Sequence, residues 1–378
     1  MPHTALFIGL MSGTSLDGVD GVLAAFQPDG SLQVQAHAFT PFPDAFKAEL
    51  LQLNQSGPDE LHRAALAGNG IARHYAQVVH TLLTDTGHTP AAITALGAHG
   101  QTVRHRPLEF DGLPGQAAVG YTLQLNNPAL LAELTGIDVV ADFRSRDLAA
   151  GGQGAPLVPA FHQGVFGQCA HCVAVLNIGG ISNLSVLQPD GQVMGWDCGP
   201  GNALMDHWCQ THTGQAFDHN GEWAATGQVS AALLERLLSE SYLSQQPPKS
   251  TGRDLFNPAW LQQHLNDLPE LSAPDVQATL TAFTAEACLR DMQQHAPDAR
   301  ELIVCGGGAL NGHLMSLLTQ GLPNVQVASS AAHGLPPLQV EAAAFAWLAF
   351  KAVRREPASL TSVTGARGAR VLGALYPR

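Results

Sequence analysis

The stretch "GLMSGTSLDGVDGVL", Gly9–Leu23, places a glycine-rich turn between two apolar segments. An apolar run, Ala5–Leu10, leads into small polar residues and then Asp17, and a second apolar run starts at once. Apolar runs bounded by glycine indicate strands, so the stretch predicts a β-hairpin. A glycine turn at a strand end either connects the strands tightly or lets backbone N–H groups approach phosphate oxygens. The turn has no lysine, and both roles stay open at this point.

The pattern of this hairpin recurs later in the chain. A Gln-Pro-Asp-Gly turn at Gln27–Gly30 returns as Gln188–Gly191, 161 residues further on. The first turn belongs to the strand-like runs Leu6–Met11, Val19–Phe26 and Leu32–Phe39. The second belongs to Cys172–Ile178, Ile181–Leu187 and Gln192–Trp196. The repeated order of strands and turns predicts an internal duplication, and hence two α/β lobes with a cleft between them.

Further elements complete these lobes. We expect long helices at Glu60–Thr86 and Glu341–Val353 and a strand at Ile93–Ala98. A third glycine turn, Gly306–Gly308, lies between a strand at Glu301–Cys305 and a helix at Leu310–Thr319.

The domain boundary is predicted near Asp142. The first lobe then comprises residues 1–142 with 366–378, because the tail Arg370–Tyr376 looks like a short strand that returns to it. The second lobe comprises residues 143–365, with the second hairpin and the third glycine turn.

Composition excludes several classes of protein. The 378 residues are 45% hydrophobic and 13% charged, which is typical of a globular enzyme with a large core. The net charge is −13 with 18 basic residues and no basic run, so nucleic acid and anionic membrane are not expected partners. The first apolar run is too short for a membrane span and lacks a basic leader. We expect a cytoplasmic protein.

The cysteines offer little chemistry. Cys169 and Cys172 have CxxC spacing, but a structural zinc site needs a second ligand pair, and none has suitable spacing. We therefore expect an incidental, reduced pair.

Two common nucleotide-binding motifs are absent. Lys249-Ser250 has no glycine at the upstream position that a P-loop needs, and Gly306–Gly312 has its last glycine one place too late for a Rossmann fingerprint. Three glycine turns at strand ends remain, Ser12–Ser15, Gly179-Gly180 and Gly306–Gly308. Together they predict hairpins that clasp phosphates from two lobes.

Two carboxylates follow such turns. Asp17 could hold Mg²⁺, through water, against a phosphate tail, or could only form an Asp-Gly turn with Gly18. Asp197 ends a predicted strand beside Gly199–Gly201, where a general base would belong. Asp206 follows on a helix, either on its outer face or behind the site.

Charged residues elsewhere allow two interpretations each. Arg144 and Arg146 lie beside the glycine-rich segment Gly151–Gly154 and suit either a substrate carboxylate or a surface ion-pair cluster. Glu341 begins the last long helix, where a carboxylate caps the helix or serves in catalysis.

The chain resembles the anhydro-N-acetylmuramic acid kinases in motifs that span nearly its whole length in the family's order. The family signature is matched by "GLMSGTSLDGVD" (Gly9–Asp20) and "DCGPGNALMD" (Asp197–Asp206). Further matches are "GAHGQTVRH" (Gly97–His105), "NPALLAELTGIDVVADFR" (Asn127–Arg144), "AAGGQGAPLVPAFH" (Ala149–His162), "LNIGGISN" (Leu176–Asn183), "PKSTGR" (Pro248–Arg253) and "VCGGGALN" (Val304–Asn311). The Cys169–Cys172 pair lies outside them.

The resemblance implies an α/β fold of the hexokinase–actin–heat-shock-chaperone superfamily, with two ribonuclease-H-like lobes and ATP between them. It implies that ATP, with Mg²⁺, phosphorylates the 6-oxygen of 1,6-anhydro-N-acetylmuramate while water opens the anhydro bridge. The product would be N-acetylmuramate 6-phosphate, an intermediate of peptidoglycan recycling. A homodimer is expected from the family.

The resemblance also assigns roles to residues. Asp197 matches the base that deprotonates the water, Glu341 matches a second carboxylate at the sugar, and His99 and Arg146 match the substrate site, Arg146 at the lactyl carboxylate. The second lobe would supply most of the sugar site. The nucleotide-binding set is Gly13, Thr14, Ser15, Leu16, Asp17, Gly18, Val19, Asp20, Gly179, Gly180, Gly306, Gly307 and Gly308. The roles of Lys249 and Arg253 stay open.

Three alternative functions have their own sequence requirements. An actin-like or chaperone-like ATPase would need a client domain or a polymer surface. A different sugar kinase would keep the glycine turns without needing Asp197 together with Arg146. A dehydrogenase is disfavoured because the dinucleotide fingerprint fails.

Overall fold

The computed structural model describes residues 4–13, 15–107, 115, 118–167, 169–247, 249–252, 255–266 and 268–378. The strands are β1 (Ala5–Met11), β2 (Gly18–Phe26), β3 (Leu32–Pro41), β4 (Ile93–Ala98), β5 (Gln101–Arg106), β6 (Tyr121–Leu125), β7 (Val139–Ala141), β8 (Val173–Ile178), β9 (Ile181–Leu187), β10 (Val193–Pro200), β11 (Glu301–Cys305), β12 (Gln326–Ser329) and β13 (Ala374–Tyr376).

The helices are α1 (Asp44–Gln52), α2 (Glu60–Thr86), α3 (Pro128–Thr135), α4 (Ser145–Ala149), α5 (Val158–Phe166), α6 (Asn202–Thr213), α7 (Ala231–Leu238), α8 (Pro258–Asn266), α9 (Ala273–His295), α10 (Gly312–Gly321), α11 (Val340–Val353) and α12 (Thr361–Thr364). Within the described part of the chain, no helix is both long and apolar enough to span a bilayer.

The chain forms two compact units. The first comprises Met1–Phe161 with Gln339–Arg378, and the second comprises His162–Leu338. Residues 143–161 and 339–365 thus group with the first unit, which differs from the predicted boundary near Asp142. The difference has a physical cause, because α11 packs on β1, β2 and β4, and the α4 residue Asp147 accepts a hydrogen bond from the α12 residue Thr364.

The first unit contains a mixed sheet with strand order β13-β7-β4-β1-β2-β3. Its β1, β2 and β3 form the predicted antiparallel meander, and β4 and β7 continue the sheet in parallel with β1. The tail does return as a strand, because β13 pairs with β7. Side chains alternate along β1, as expected for a strand covered on both faces. Ile8 joins the core that includes α2, whereas Phe7 contacts Phe350 of α11.

Two facing glycines allow α11 to lie close to this sheet. Gly9 of β1 and Gly97 of β4 are paired in register. A Cβ atom at Gly9 would overlap the Ala342 carbonyl, and one at Gly97 would overlap the Phe345 carbonyl, both in α11. The missing side chains therefore set the distance between helix and sheet, and with it the position of Glu341 at the start of α11.

We expect Gly97→Ala to destabilise the protein by about 1–3 kcal/mol or more, because the added methyl group meets helix backbone, which cannot rotate away. Urea unfolding of the variant and the parent measures the loss. Gly57→Ala is a matched control, since Gly57 is exposed and its nearest neighbour is the flexible end of Arg63. Equal stability of the Gly97→Ala variant and the parent would contradict the close packing.

The second unit repeats the plan of the first. Its sheet has the order β10-β9-β8-β11-β12, with β8, β9 and β10 antiparallel and β11 and β12 parallel to β8. The helix α9 packs on β9 and β10 and on neighbouring helices, and a separate hydrophobic core forms around it. The repeated meander, each extended by parallel strands, confirms the α/β class and the predicted duplication.

Candidate active site

The first glycine turn forms a compact loop between β1 and β2. Leu16 N–H donates to the Gly13 carbonyl at 3.2 Å, and the Ser15 hydroxyl donates to Asp17 Oδ1 at 2.6 Å. Leu16 adopts a left-handed backbone conformation with φ 58°, which strains a residue other than glycine. Around Gly13 the nearest atom to an added Cβ would be Ser15 Oγ at 3.6 Å, so packing of the described chain does not require glycine there. Thr14 lies outside the described residues.

Neighbouring polar groups fix this turn through hydrogen bonds. Gln101 Nε2 donates to the Gly13 carbonyl at 3.1 Å. Tyr75 accepts a hydrogen bond from Gly100 N–H at 2.9 Å, and its hydroxyl lies 3.3 Å from Ser12 Oγ. Burial raises the pKa of Tyr75 to about 12, so this hydroxyl keeps its proton at neutral pH. The turn is therefore tied to the segment that follows β4.

The other residues of the predicted nucleotide-binding segment differ from one another in solvent exposure. Leu16, Gly18 and Val19 are buried, and a Cβ at Gly18 would overlap Thr40 and Phe39. The carboxylate of Asp20 lies 2.9 Å from His37 Nε2. Asp17 is the exposed carboxylate of the turn. Close packing thus accounts for Gly18, whereas Gly13 and Asp17 are open to a ligand.

A buried histidine and a half-buried arginine form a second cluster in the first unit. Arg144 donates from Nε and Nη2 to His99 Nε2, at 3.1 and 2.9 Å, and from Nη1 to the Gly154 carbonyl at 2.8 Å. Burial and the charge of Arg144 hold the pKa of His99 well below its usual range. Since Nε2 accepts both bonds, His99 is neutral and carries its proton on Nδ1, which is buried beside the Ser12 and Gly100 backbone.

Glu341 acts electrostatically on the same cluster. Burial lowers the pKa of Arg144 to about 10, and the charge of Glu341 opposes that shift. His99 also packs against Phe345 of α11, with ring centroids 4.6 Å apart. The structure thus brings His99 and Glu341 to one arginine. That arginine is Arg144, because Arg146 is exposed on α4. The sequence pattern pointed to both arginines and could not separate them, since burial depends on the tertiary contact with His99.

Two glycine turns lie side by side in the second unit. They follow the neighbouring parallel strands β8 and β11, where Asn177 and Cys305 are in register. The Asn202 side chain donates to the Ile178 carbonyl at 3.0 Å, and its backbone N–H donates to the Gly179 carbonyl at 2.7 Å. The same side chain lies beside Gly307 and Gly308. Asn202 therefore links Gly179-Gly180 to Gly306–Gly308.

Glycine occurs at the positions in these turns for different physical reasons. Gly306 has φ 77°, and a Cβ there would lie 2.5 Å from Asn177 Oδ1 and 2.6 Å from the Ile178 carbonyl. At Gly179 the nearest atom to a Cβ would be 3.7 Å away. Gly306 is required by backbone geometry and packing, whereas Gly179 leaves open space beside its backbone.

Asp197 lies inside β10 and not at its end as predicted, because the strand continues to Pro200 through an irregularity between Asp197 and Gly199. Its carboxylate oxygen Oδ2 accepts hydrogen bonds from the Ser250 hydroxyl at 2.9 Å and from Thr251 N–H at 3.0 Å. Its backbone N–H donates to the Lys249 carbonyl at 3.1 Å, and Tyr242 donates to its carbonyl at 2.8 Å. The 249–251 segment thus holds Asp197 on two sides.

The environment of Asp197 suits a base near neutral pH. Burial raises the pKa of Asp197 to about 6, although the Thr251 N–H, the Ser250 hydroxyl and the charge of Lys249 each act to lower it. A base works best when its pKa lies near the working pH. If unprotonated Asp197 is required, activity is low below about pH 6 and rises to a plateau above it.

We expect Ser250→Ala to move the acid limb of kcat/KM upward by about one to two pH units. The substitution removes a donor that stabilises the charged carboxylate, and a bond to a charged group is worth about 1.5–3 kcal/mol against about 1.4 kcal/mol per pKa unit. Rates are measured across pH 4.5–8, a range that reaches up to roughly two units on either side of the Asp197 pKa. This range locates the limb. Ser244→Ala is the control, because the Ser244 hydroxyl donates to the Ser241 carbonyl and has no other recorded partner among the described residues. A limb that moves downward would contradict the assignment.

Other residues of interest lie apart from this carboxylate. Lys249 is buried in an ion pair with Asp291. Asp206 is half-buried on α6, and Arg253 lies outside the described residues. Cys169 and Cys172 are free thiols, and Cys169 donates to the Phe166 carbonyl at 3.4 Å. Asp197 belongs to the second unit, whereas Glu341, His99 and Arg146 belong to the first.

The family model and the curated relatives name the same family. The family model described as "Anhydro-N-acetylmuramic acid kinase" matches residues 5–378. A protein of that name from Variovorax paradoxus is 65% identical over 377 residues, covering 98% of this chain and 99% of its own. One from Albidiferax ferrireducens is 57% identical over 392 residues, with coverage of 98% and 99%. Among solved structures, component A of the (R)-2-hydroxyglutaryl-CoA dehydratase of Acidaminococcus fermentans aligns at 12% identity and TM-score 0.48, covering 92% and 98%.

The α/β architecture and the match over nearly the whole chain define a phosphotransferase, specifically a kinase. The chain belongs to the anhydro-N-acetylmuramic acid kinase family.

Proposed function

We propose that the protein uses ATP to phosphorylate the 6-oxygen of 1,6-anhydro-N-acetylmuramate while adding water across the anhydro bridge. The products are N-acetylmuramate 6-phosphate and ADP, as in peptidoglycan recycling. Family membership supports the substrate. The observation that carries the water-adding step is Asp197, a carboxylate whose pKa lies near 6 and whose Oδ2 is held by two donors.

Asp197 would act as the general base. Because Ser250 and Thr251 both bond Oδ2, that oxygen is oriented, and among the described residues no donor is recorded to Oδ1, which would accept a proton from water. The water oxygen would attack the anomeric carbon, whose bond to the bridging oxygen breaks. The bridging oxygen, now the 6-oxygen, would form a bond to the γ-phosphorus as the bond to ADP breaks. The oxygen that leaves the anomeric carbon therefore goes to phosphorus and needs no separate proton.

Backbone N–H groups would bind the ATP phosphates. The backbone at Gly13 and Gly179 fits this role because it is uncrowded, since the nearest described atoms to an added Cβ would lie at 3.6 and 3.7 Å. Gly180, Gly307 and Gly308 would contribute neighbouring backbone, and Gly306 would shape the turn. Such donors stabilise the charge of a transferring phosphoryl group, which is the main catalytic term in phosphoryl transfer.

Asp17 is the residue that fits the implied Mg²⁺. Its carboxylate is exposed, is oriented by the Ser15 hydroxyl and offers the hard oxygen donors that Mg²⁺ prefers. The described residues contain no cluster of three or more His, Cys, Asp or Glu side chains suited to a metal. Mg²⁺ usually needs only one or two carboxylates beside substrate phosphates and water. When bound, the ion would neutralise phosphate charge.

The sugar would be recognised by residues of the first unit as well. The exposed guanidinium of Arg146 suits the lactyl carboxylate. His99 would take part through Arg144, since its ring is buried and accepts two hydrogen bonds from that guanidinium. Glu341 would hold Arg144 or contact the sugar. A homodimer in the cytoplasm is proposed from the family alone.

The deciding experiment supplies purified protein with Mg-ATP and 1,6-anhydro-N-acetylmuramate and measures the product mass. We expect a product that has gained both a phosphoryl group and one water. A gain of phosphate alone would indicate an ordinary kinase and would contradict the role of Asp197. Slow ATP hydrolysis without sugar is also expected, since rapid sugar-independent hydrolysis points to an ATPase.

A further inference from the structure

A buried ion pair lies directly behind Asp197. Lys249 Nζ donates to Asp291 Oδ1 at 3.1 Å, and the two side chains are 1% and 4% exposed. The other Asp291 oxygen accepts from Trp196 Nε1 at 2.8 Å. One carboxylate on α9 thus joins Trp196, the residue before Asp197, to Lys249, the residue before Ser250.

The lysine has further contacts that fix its position. Its ammonium group donates to the Leu243 carbonyl at 3.3 Å and lies 5.3 Å from the ring centroid of Tyr242. Tyr242 in turn donates to the Asp197 carbonyl. Lys249 is therefore held by a carboxylate, a carbonyl and an aromatic face, and it cannot reach a nucleotide without leaving all three.

We propose that the Lys249–Asp291 ion pair is a positioning device for Asp197, holding the 249–251 segment against β10 so that Ser250 and Thr251 orient the carboxylate. The inference rests on the proposed role of Asp197 as base. The pair has no contact with the reacting atoms and acts through the segment.

Burying two charges costs free energy of folding. The effect of the pair on stability can therefore be measured separately from its effect on the position of Asp197. A buried ion pair often contributes little net stability compared with apolar residues of the same size, whereas removal of one partner leaves an uncompensated charge. The test is therefore the double substitution Lys249→Met with Asp291→Asn, which removes both charges and keeps an acceptor for Trp196. Lys249→Met alone serves as the unbalanced comparison.

We expect the double variant to recover most of the melting temperature that the single variant loses. Its kcat should nevertheless stay about 10–100-fold below the parent, the cost of misplacing a catalytic group, while KM for ATP is unchanged. The acid limb of kcat/KM should move upward, because Lys249 lowers the pKa of Asp197. Recovery of both stability and kcat, with an unmoved limb, would overturn the proposal and leave the pair a structural element.

Other titratable groups beside the pair are Cys198, Tyr242 and His295. Burial raises the pKa of the Cys198 thiol and of the Tyr242 hydroxyl, so neither changes charge on the acid limb. Burial lowers the pKa of His295, which packs on Trp196. The substitution His295→Gln removes its titration, and the limb should still move in the double variant on that background. If the limb then no longer moves, the shift belongs to His295 and the proposal is overturned.

The chain offers a matched control. Lys351 pairs with Glu356 at 2.7 Å and lies 5.4 Å from the Trp347 ring, so the same chemistry occurs in the first unit, whereas Asp197 belongs to the second. Lys351→Met with Glu356→Gln should leave kcat and the acid limb unchanged.

If the double variant does not fold, the Ser250→Ala variant tests the proposal instead. The hydroxyl is exposed, and an unmoved limb there means that the segment does not act on Asp197 and overturns the proposal. Failure of the base itself is distinguishable, because it would show as activity in Asp197→Asn.

Discussion

Asp197→Asn is expected to lower kcat by about 10²–10⁴-fold, the range that a positioned general base contributes. The amide keeps the size of the side chain and can still accept from Ser250 and Thr251, but it cannot take a proton from water. Because bridge opening and phosphoryl transfer share the same oxygen, both should be lost together. The measurement is product formation by mass together with ADP release.

A matched control is Asp190→Asn, in the exposed turn between β9 and β10, where the one donor to the carboxylate within the described part of the chain is Gln192 N–H. That variant should keep the parent rate. Loss of bridge opening with retained phosphorylation in Asp197→Asn would separate the two events and would count against a single base for the coupled reaction.

Lys249→Met should cost about 3–5 kcal/mol of unfolding free energy, the largest stability effect expected among these variants. Methionine fills much of the lysine volume, so the main loss is electrostatic. Asp291 would remain 4% exposed with a charge that only Trp196 Nε1 still contacts among the partners described. Guanidinium unfolding monitored by circular dichroism measures the loss.

The corresponding change at Lys351→Met should cost no more than about 1 kcal/mol, because its ion pair is 25% and 34% exposed and solvent screens it. Equal losses for the two lysines would show that the Lys249 pair is hydrated in solution. Unchanged stability of Lys249→Met would mean that Asp291 finds another partner.

Several elements were predictable because their signals are local. The helix Glu60–Thr86 and the strands Ile93–Ala98, Ile181–Leu187 and Glu301–Cys305 have the bounds expected from the sequence. Apolar runs that end at glycine or proline define such elements without reference to distant residues. The duplicated meander was visible for the same reason, since each copy carries its own turn.

The residues of the candidate active site were predictable from the sequence only in part. The sequence indicated Asp197 and the three glycine turns, and the structure places two of those turns side by side in the second unit. The residue pattern did not separate Arg144 from Arg146, which only the family resemblance distinguished, because they are two residues apart in one segment and differ in what packs against them. Nor did it assign Lys249, whose partner Asp291 is 42 residues away on α9.

The sequence alone determined the α/β class, the repeated meander and the family, because strand periodicity, turn residues and motif order are encoded locally. Tertiary structure alone decided which unit holds α11 and which groups surround Asp197. Gly9 and Gly97 show why, since their missing side chains matter only once a helix from the far end of the chain lies over them. Burial and ion pairing are likewise properties of contacts between distant segments, and these contacts set the pKa of Asp197.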